Sequence, residues 1–181
     1  VDVLPMILER EPTTLLRVVG TVEVPVLDGR TSRSVERLGF VPDTRPYLES
    51  SLISVAPLRF GGGMKGKVGE AMSYGLPVVT SSIGAEGFGI QPGREALVAD
   101  DARAFADAVV KLIRDPDLRE AMRLAGWNFI RENYSDVAVN RRVRELIDPV
   151  QRVIGTRSVS CRSGVSRVTP TPSERLSVRL S

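Results

Sequence analysis

The sequence predicts an α/β domain built on an open, doubly wound parallel sheet, and three observations carry that prediction. Hydrophobic residues make up 42% of the 181 residues and charged residues 26%, which is enough apolar side chain for a core and too little charge for wholesale disorder. Short, near-continuous apolar runs recur along the chain, as in strands buried on both faces. Helical patterns stand between those runs, and strands that alternate with helices pair in parallel.

Taken in order, Val1 to Glu11 reads as a helix, Leu15 to Val19 as a strand ending at Gly20, and Val35 to Leu38 as a short strand ending at Gly39. Leu52 to Leu58 reads as a buried strand, Leu76 to Ser81 as another and Ala96 to Ala99 as a short one. Lys67 to Tyr74 is a helix closed by Gly75, a residue type suited to the left-handed position after a helix. Ala102 to Arg114 places Phe105, Ala108, Val109, Leu112 and Ile113 on one face. Asp115-Pro116 is an N-cap followed by an N1 proline, opening a helix to about Glu132 that buries Leu118, Met122, Ala125 and Phe129. Ser135 caps a last helix carrying Val139, Val143, Leu146 and Ile147, which is expected to stop near Pro149. These three helices are expected to wrap the sheet, giving a domain over 1–151.

Composition excludes several chemistries. The chain has no histidine and one cysteine, Cys161, so Ser-His-Asp catalysis, histidine metal sites, an internal disulfide and CxxC zinc sites are all ruled out within it. No apolar run approaches the ~20 residues of a membrane span. No targeting segment is visible, and a cytoplasmic location is expected. The chain begins inside a helical pattern at Val1, which reads as a start cut into a longer sequence.

The net charge is +3, but it is unevenly placed. Arg152 to Ser181 holds six arginines and one acid, a balance of +5, which leaves −2 for Val1 to Gln151. Arg152, Arg157, Arg162 and Arg167 recur every five residues, a period of neither helix nor strand, so 152–181 is expected to be a disordered Ser/Arg-rich tail. A basic arm for nucleic acid would carry interleaved aromatics and denser charge; a tail outside its natural reading frame is the other reading. No nucleic-acid partner is expected.

The chemistry is concentrated in Ala56 to Glu86. A strand ends near Leu58, and Arg59, Gly61, Gly62, Gly63, Lys65 and Lys67 follow before a helix begins. A glycine-rich turn entering a helix presents free backbone N–H groups and the positive end of the helix dipole. At the carboxyl end of a sheet strand, with three cations beside it, such a turn suits a phosphate or diphosphate. Glu70, about one turn into the helix, suits a vicinal diol such as a ribose, because a carboxylate accepts two hydroxyl hydrogen bonds at once. Its plainer reading is an i,i+3 pair with Lys67 on a solvated helix. The GxGxxG at Gly61, Gly63 and Gly66 follows a late strand, unlike an oxidoreductase fingerprint, and Gly66-Lys67-Val68 breaks the P-loop pattern. Asp100-Asp101 reads as a helix start, not a metal site.

With those residues in place, the pattern resembles the group 1 retaining glycosyltransferases of GT-B fold, in their C-terminal, nucleotide-sugar-binding domain. The strongest match is APLRFGGGMKGKVGEAMSYGLPVVTSSIGAEGF, supported by Asp115-Pro116-Asp117-Leu118-Arg119, Asn133-Tyr134-Ser135 and Leu16-Arg17-Val18-Val19-Gly20, over roughly Val1 to Val150. The resemblance implies a Rossmann-like fold, a nucleotide-diphosphate sugar as donor, and no cofactor or essential metal. It makes Glu70 the second acid of the E-x7-E motif, holding the nucleotide ribose. Gly62 stands where the first acid would be, which departs from the usual sugar contact. Backbone N–H groups of Gly62, Gly63 and Met64, with Lys65, Lys67 and Arg59, would face the donor sugar or phosphates. Gly39-Phe40-Val41-Pro42-Asp43 resembles the segment that reads the nucleobase, nominating Val41 and Asp43. The resemblance also places before Val1 the domain's first strand and the acceptor-binding domain, through which alone any peripheral membrane contact would come. It leaves no catalytic side chain in this chain, which alone is expected to be inactive. A non-catalytic nucleotide-binding or scaffold module of the same fold, and a nucleotide-sugar epimerase, are the alternatives.

Overall fold

The computed structural model describes residues 3–20 and 29–155. The chain divides into two compact units, Val1–Arg142 and Val143–Ser181, and the candidate site lies wholly in the first. In order, the elements are α1 (Val3–Arg10), β1 (Leu16–Val19), α2 (Gly29–Arg33), β2 (Val35–Gly39), α3 (Arg45–Glu49), β3 (Ser54–Ala56) and α4 (Gly66–Ser73). There follow β4 (Val78–Thr80), α5 (Ser82–Ala85), β5 (Leu97–Val98), α6 (Ala102–Arg114), α7 (Pro116–Tyr134) and α8 (Asp136–Gly155).

Every strand pairing is parallel, as the sequence predicts. Among the described residues five strands form two hydrogen-bonded sheets, β1-β2 and β3-β4-β5, where one continuous sheet was expected. β4 shows why two apolar residues stand side by side in its run. Val79 packs with Ile7, Phe105, Val109 and Met122 on one face, and its neighbour Val78 with Val68, Met72 and Phe88 on the other. Successive side chains point to opposite faces of a strand, so a sheet covered by helices on both sides needs an apolar residue at every position. Both valines are fully buried. Burying one such side chain contributes about 1.5–3 kcal/mol.

The helix ends follow local chemistry. Asp101 accepts from Ala104 N at 2.8 Å, Asp115 from Leu118 N at 2.9 Å with Pro116 at N1, and Ser135 Oγ from Ala138 N at 3.3 Å. Gly75, at φ 71°, ends α4. Each cap satisfies an N–H that the first helical turn leaves without a partner.

Three expectations are corrected. Only Ser54–Ala56 of the Leu52–Leu58 run pairs, and it is half-buried, because among the described residues β3 has a strand neighbour on one side only. The last helix passes Pro149 and continues to Gly155, so 152–155 are helical and the boundary at 151 does not coincide with a helix end. A proline forfeits one backbone bond and crowds the preceding turn, which bends a helix without always ending it. Val139, Val143, Leu146 and Ile147 are exposed rather than packed. The tail from 156 onward, with Cys161, lies outside the described residues, as do Val1 and Asp2.

Candidate functional site

The site begins where β3 ends. Between β3 and α4 the chain turns through Gly61 (φ 125°) and Gly63 (φ 69°), left-handed conformations that favour glycine. Gly62 has no such φ, and a Cβ there would meet nothing within 4 Å. Two of the three glycines are therefore required by the backbone, and the third by nothing in the turn's own geometry.

Lys65 holds the turn together. Its ammonium donates to the carbonyl oxygens of Gly61 (3.0 Å) and Gly63, and lies 3.9 Å from Glu86. The side chain is only 13% exposed. Fixing those carbonyls leaves the backbone N–H groups on the other side: from Arg59 to Lys67, none donates to an acceptor among the described residues. The turn thus feeds into the amino end of α4 as a run of free donors with the helix dipole behind it.

A second loop supports the turn. Gly87 lies so close to Met64 that an added Cβ would come within 3.3 Å of its side chain. Gly84 approaches Thr80 more closely still, so that a Cβ there would collide with the Thr80 hydroxyl. Thr80 Oγ1 donates to Ala56 O at 3.0 Å and Ser81 Oγ to Leu58 O at 2.6 Å, tying the end of β4 to the end of β3.

Glu70 lies one turn into α4 with both carboxylate oxygens engaged. Oε1 accepts from Thr44 Oγ1 at 2.7 Å and Oε2 from Lys67 Nζ at 2.9 Å. The Thr44 hydrogen bond, and after it that from Lys67, hold the carboxyl below the usual range; burial opposes them, and the Lys67 charge adds the smallest lowering effect. The i,i+3 pair of the plainer reading is present, but Glu70 is more than a solvated surface acid. Through Thr44 it joins α4 to the segment that follows β2.

Arg59, Lys67, Glu70 and Thr44 line one cavity. Lys67 is 83% exposed, and Arg59 is exposed with no hydrogen bond or ion pair among the described residues. Gly62, Gly63, Met64 and Lys65 sit beside this group without lining the cavity. Val41 is half-buried just past β2, and Asp43 Oδ1 accepts from Arg45 N at 2.9 Å, so its carboxylate caps the start of α3. Asp100 accepts from Ser82 N at 2.8 Å, a helix-start role like that of Asp101. Thr44 was missed in the sequence. Threonine ahead of Arg45-Pro46 is a visible helix-start signal, but a contact spanning 26 positions has no local signature.

Among the described residues no helix is long and apolar enough to cross a membrane, and no group of three His, Cys, Asp or Glu side chains is placed to hold a metal.

Comparison with known proteins agrees with this architecture. The family described as "Glycosyl transferases group 1" matches residues 1–115. An uncharacterised 44.6 kDa protein in the cps region of Klebsiella pneumoniae is 27% identical over 150 residues, covering 75% of this chain and 37% of that protein. Anabaena HepE, solved in complex with UDP, superimposes with a TM-score of 0.68 at 16% identity, over 82% of this chain and 44% of that one. The C-terminal domain of a group 1 family glycosyl transferase, LpcC from Francisella tularensis, gives 0.63 at 18% identity, over 75% of this chain and 77% of that one. The chain thus spans less than half the length of the Klebsiella and Anabaena proteins. Its α/β fold with parallel sheets is that of the C-terminal half of GT-B enzymes.

Proposed function

We propose, on the premise that this chain belongs to the group 1 glycosyl transferases, that residues 1–151 bind the donor of an enzyme moving a glycosyl group from a nucleotide-diphosphate sugar to an acceptor, with retention. The observation that carries this reading is the glycine turn. It offers unpaired N–H donors from Arg59 to Lys67 at the amino end of α4, with a carboxylate one turn further on. Free N–H groups, with Arg59 and Lys67 beside them, suit the diphosphate and stabilise negative charge on it as the sugar departs. Lys65 acts mainly by holding the turn in shape.

Glu70 serves the ribose. A carboxylate has about four acceptor positions and Thr44 and Lys67 occupy two, so both hydroxyls of a diol find a place without breaking either bond. The backbone at Val41, with Asp43 beside it, faces the base. The acceptor site and the catalytic side chain come from polypeptide outside these 181 residues, in a cytoplasmic enzyme. HepE, at 16% identity, was solved with UDP and with UDP-glucose. That makes a uridine nucleotide the first to test.

One observation favours a second reading, a scaffold module that kept the fold. Position 62 offers no side chain to a sugar, and the Lys65 ammonium is already engaged by loop carbonyls and Glu86. Calorimetric titration with UDP, GDP and ADP separates the two. The donor reading expects one nucleotide to bind and Glu70→Ala to weaken it about 10- to 100-fold, the worth of a hydrogen bond to a charged group. Unchanged affinity in that variant removes Glu70 from the site, and no binding of any nucleotide supports the scaffold.

A further inference from the structure

Thr44 stands where a threonine usually caps a helix, and it does not cap. It is the residue before α3, ahead of Arg45 and Pro46, at a position whose side-chain oxygen ordinarily accepts from an N–H of the first turn. Its dihedrals (φ −84°, ψ −16°) are already helical, and its side chain makes no capping bond among the described residues. Asp43 supplies the bond one residue earlier, accepting from Arg45 N at 2.9 Å. The Thr44 hydroxyl is left for a distant partner, and it donates to Glu70 Oε1 at 2.7 Å.

The segment that carries Thr44 is fixed to α4 at more than this point. Leu48 packs against the buried cluster that includes Ala71 and Met72 of α4. Arg45 bonds to Tyr74, which with the nearby Asp43 charge pushes its guanidinium above the usual value. Tyr74 and Glu70 are four residues apart and so share a side of the helix. Thr44 thus approaches Glu70 from a backbone that is itself held.

The other partner of Glu70 is different in kind. Lys67 is long and 83% exposed, and its charge is also offered to the diphosphate. Thr44 is half-buried, and its β-branched side chain is stiff at χ1. A carboxylate bonded only at Oε2 still turns about its terminal torsion, which has broad wells. A second bond at Oε1 sets its plane, and the acceptor positions left on the two oxygens then face fixed directions. Adjacent hydroxyls of a ribose need two such positions at once, whereas a 2′-deoxyribose needs one.

We propose that Thr44 is a positioning residue of the candidate nucleotide site: by fixing the plane of the Glu70 carboxylate, its hydroxyl makes the site select a ribonucleotide over a deoxyribonucleotide. The proposal rests on the donor reading of Glu70. Val41, nominated for the base, lies three residues before Thr44, so one short segment carries both the base contact and the support of the sugar contact.

Calorimetric titration of residues 1–181 tests it, with UDP, GDP and ADP each set beside its 2′-deoxy analogue. Wild type is expected to bind one ribonucleotide about 10- to 100-fold more tightly than the deoxy form, the worth of one hydrogen bond to a charged group. Thr44→Val keeps the shape and loses the hydroxyl. It is expected to bring that ratio below ~3-fold, chiefly by weakening the ribonucleotide, and Thr44→Ser to restore it. A merely structural role weakens both nucleotides alike and leaves the ratio standing, and a wild-type ratio in Thr44→Val overturns the proposal. NMR titration of the Glu70 carboxyl reads the hold without any nucleotide: its midpoint is expected to rise in Thr44→Val and to return in Thr44→Ser, and an unmoved midpoint overturns the hold itself. The two readings fail differently. A wild-type chain that binds no nucleotide removes the donor reading and this role with it, whereas a preference for ribose that survives Thr44→Val removes the role of Thr44 alone.

Discussion

The two sheets of the first unit are built from the same kind of sequence and end up in different states. In β4, between β3 and β5, Val78, Val79 and Thr80 are fully buried. In β1, which among the described residues lies beside β2 alone, Arg17 is exposed and Leu16, Val18 and Val19 are half-buried. The apolar run Leu15–Val19 is as strand-like as Leu76–Ser81, so the difference does not lie in propensity. It lies in neighbours: a strand between two others has helices packed over both faces, and an edge strand beside a cavity does not. What holds the smaller sheet includes surface chemistry, with Arg17 bonded to Glu36 and to Ser50, both at 2.8 Å.

The sharpest test of this contrast is a matched pair of truncations. Met72 is fully buried under β4, and Met72→Ala is expected to cost about 2–5 kcal/mol in urea unfolding. Val18→Ala, on the wall of the cavity, is expected to cost under ~1.5 kcal/mol, because it enlarges a space that already exists. Equal costs break the comparison.

A smaller effect separates two neighbours within the larger sheet's own loop. Gly63→Ala puts a side chain at φ 69° and is expected to lose about 1 kcal/mol. Gly62→Ala meets open space at an ordinary φ and is expected to be neutral or to gain up to ~1 kcal/mol by restricting the unfolded chain. Differential scanning calorimetry reads both, and a matching loss at position 62 means that the turn has some other need for glycine there.

The smallest effect concerns the Thr44–Glu70 bond, which ties the segment after β2 to α4. The folded carboxyl of Glu70 is held below its unfolded value, so the unfolded chain binds its proton first as pH falls. The stabilisation is complete at neutral pH, declines through the usual carboxylate range, and is gone below the depressed folded value. Wild type is therefore expected to exceed Glu70→Gln in stability at pH 7, with the gap closing in strong acid. A gap independent of pH shows that the charge on Glu70 contributes nothing to the tie.

Legibility followed the range of each interaction. The caps at Asp101, Asp115 and Ser135 bond three residues ahead, so their partners are already in the window that suggests them. The glycine turn before α4 was legible for the same reason, but the bonds from Lys65 to its carbonyls were not, since a lysine beside such a turn reads equally as a cation for a phosphate. The division into two sheets was not, because an apolar run states that a strand is buried without stating which edge finds a neighbour. Nor was Thr44, whose partner is fixed only by how the segment after β2 meets α4. Pro149 misled in the opposite sense: its local rule is real, and the helix continues past it.

The freedom at position 62 has an evolutionary consequence. The backbone there asks nothing of its residue, and glycine codons lie one base change from those for alanine, valine, serine, arginine, aspartate and glutamate. A lineage can therefore place a carboxylate, a cation or a methyl group over the turn by a single mutation, while Gly61, Gly63 and Lys65 keep the scaffold. Position 62 can therefore vary at no cost to the turn that Gly61, Gly63 and Lys65 hold.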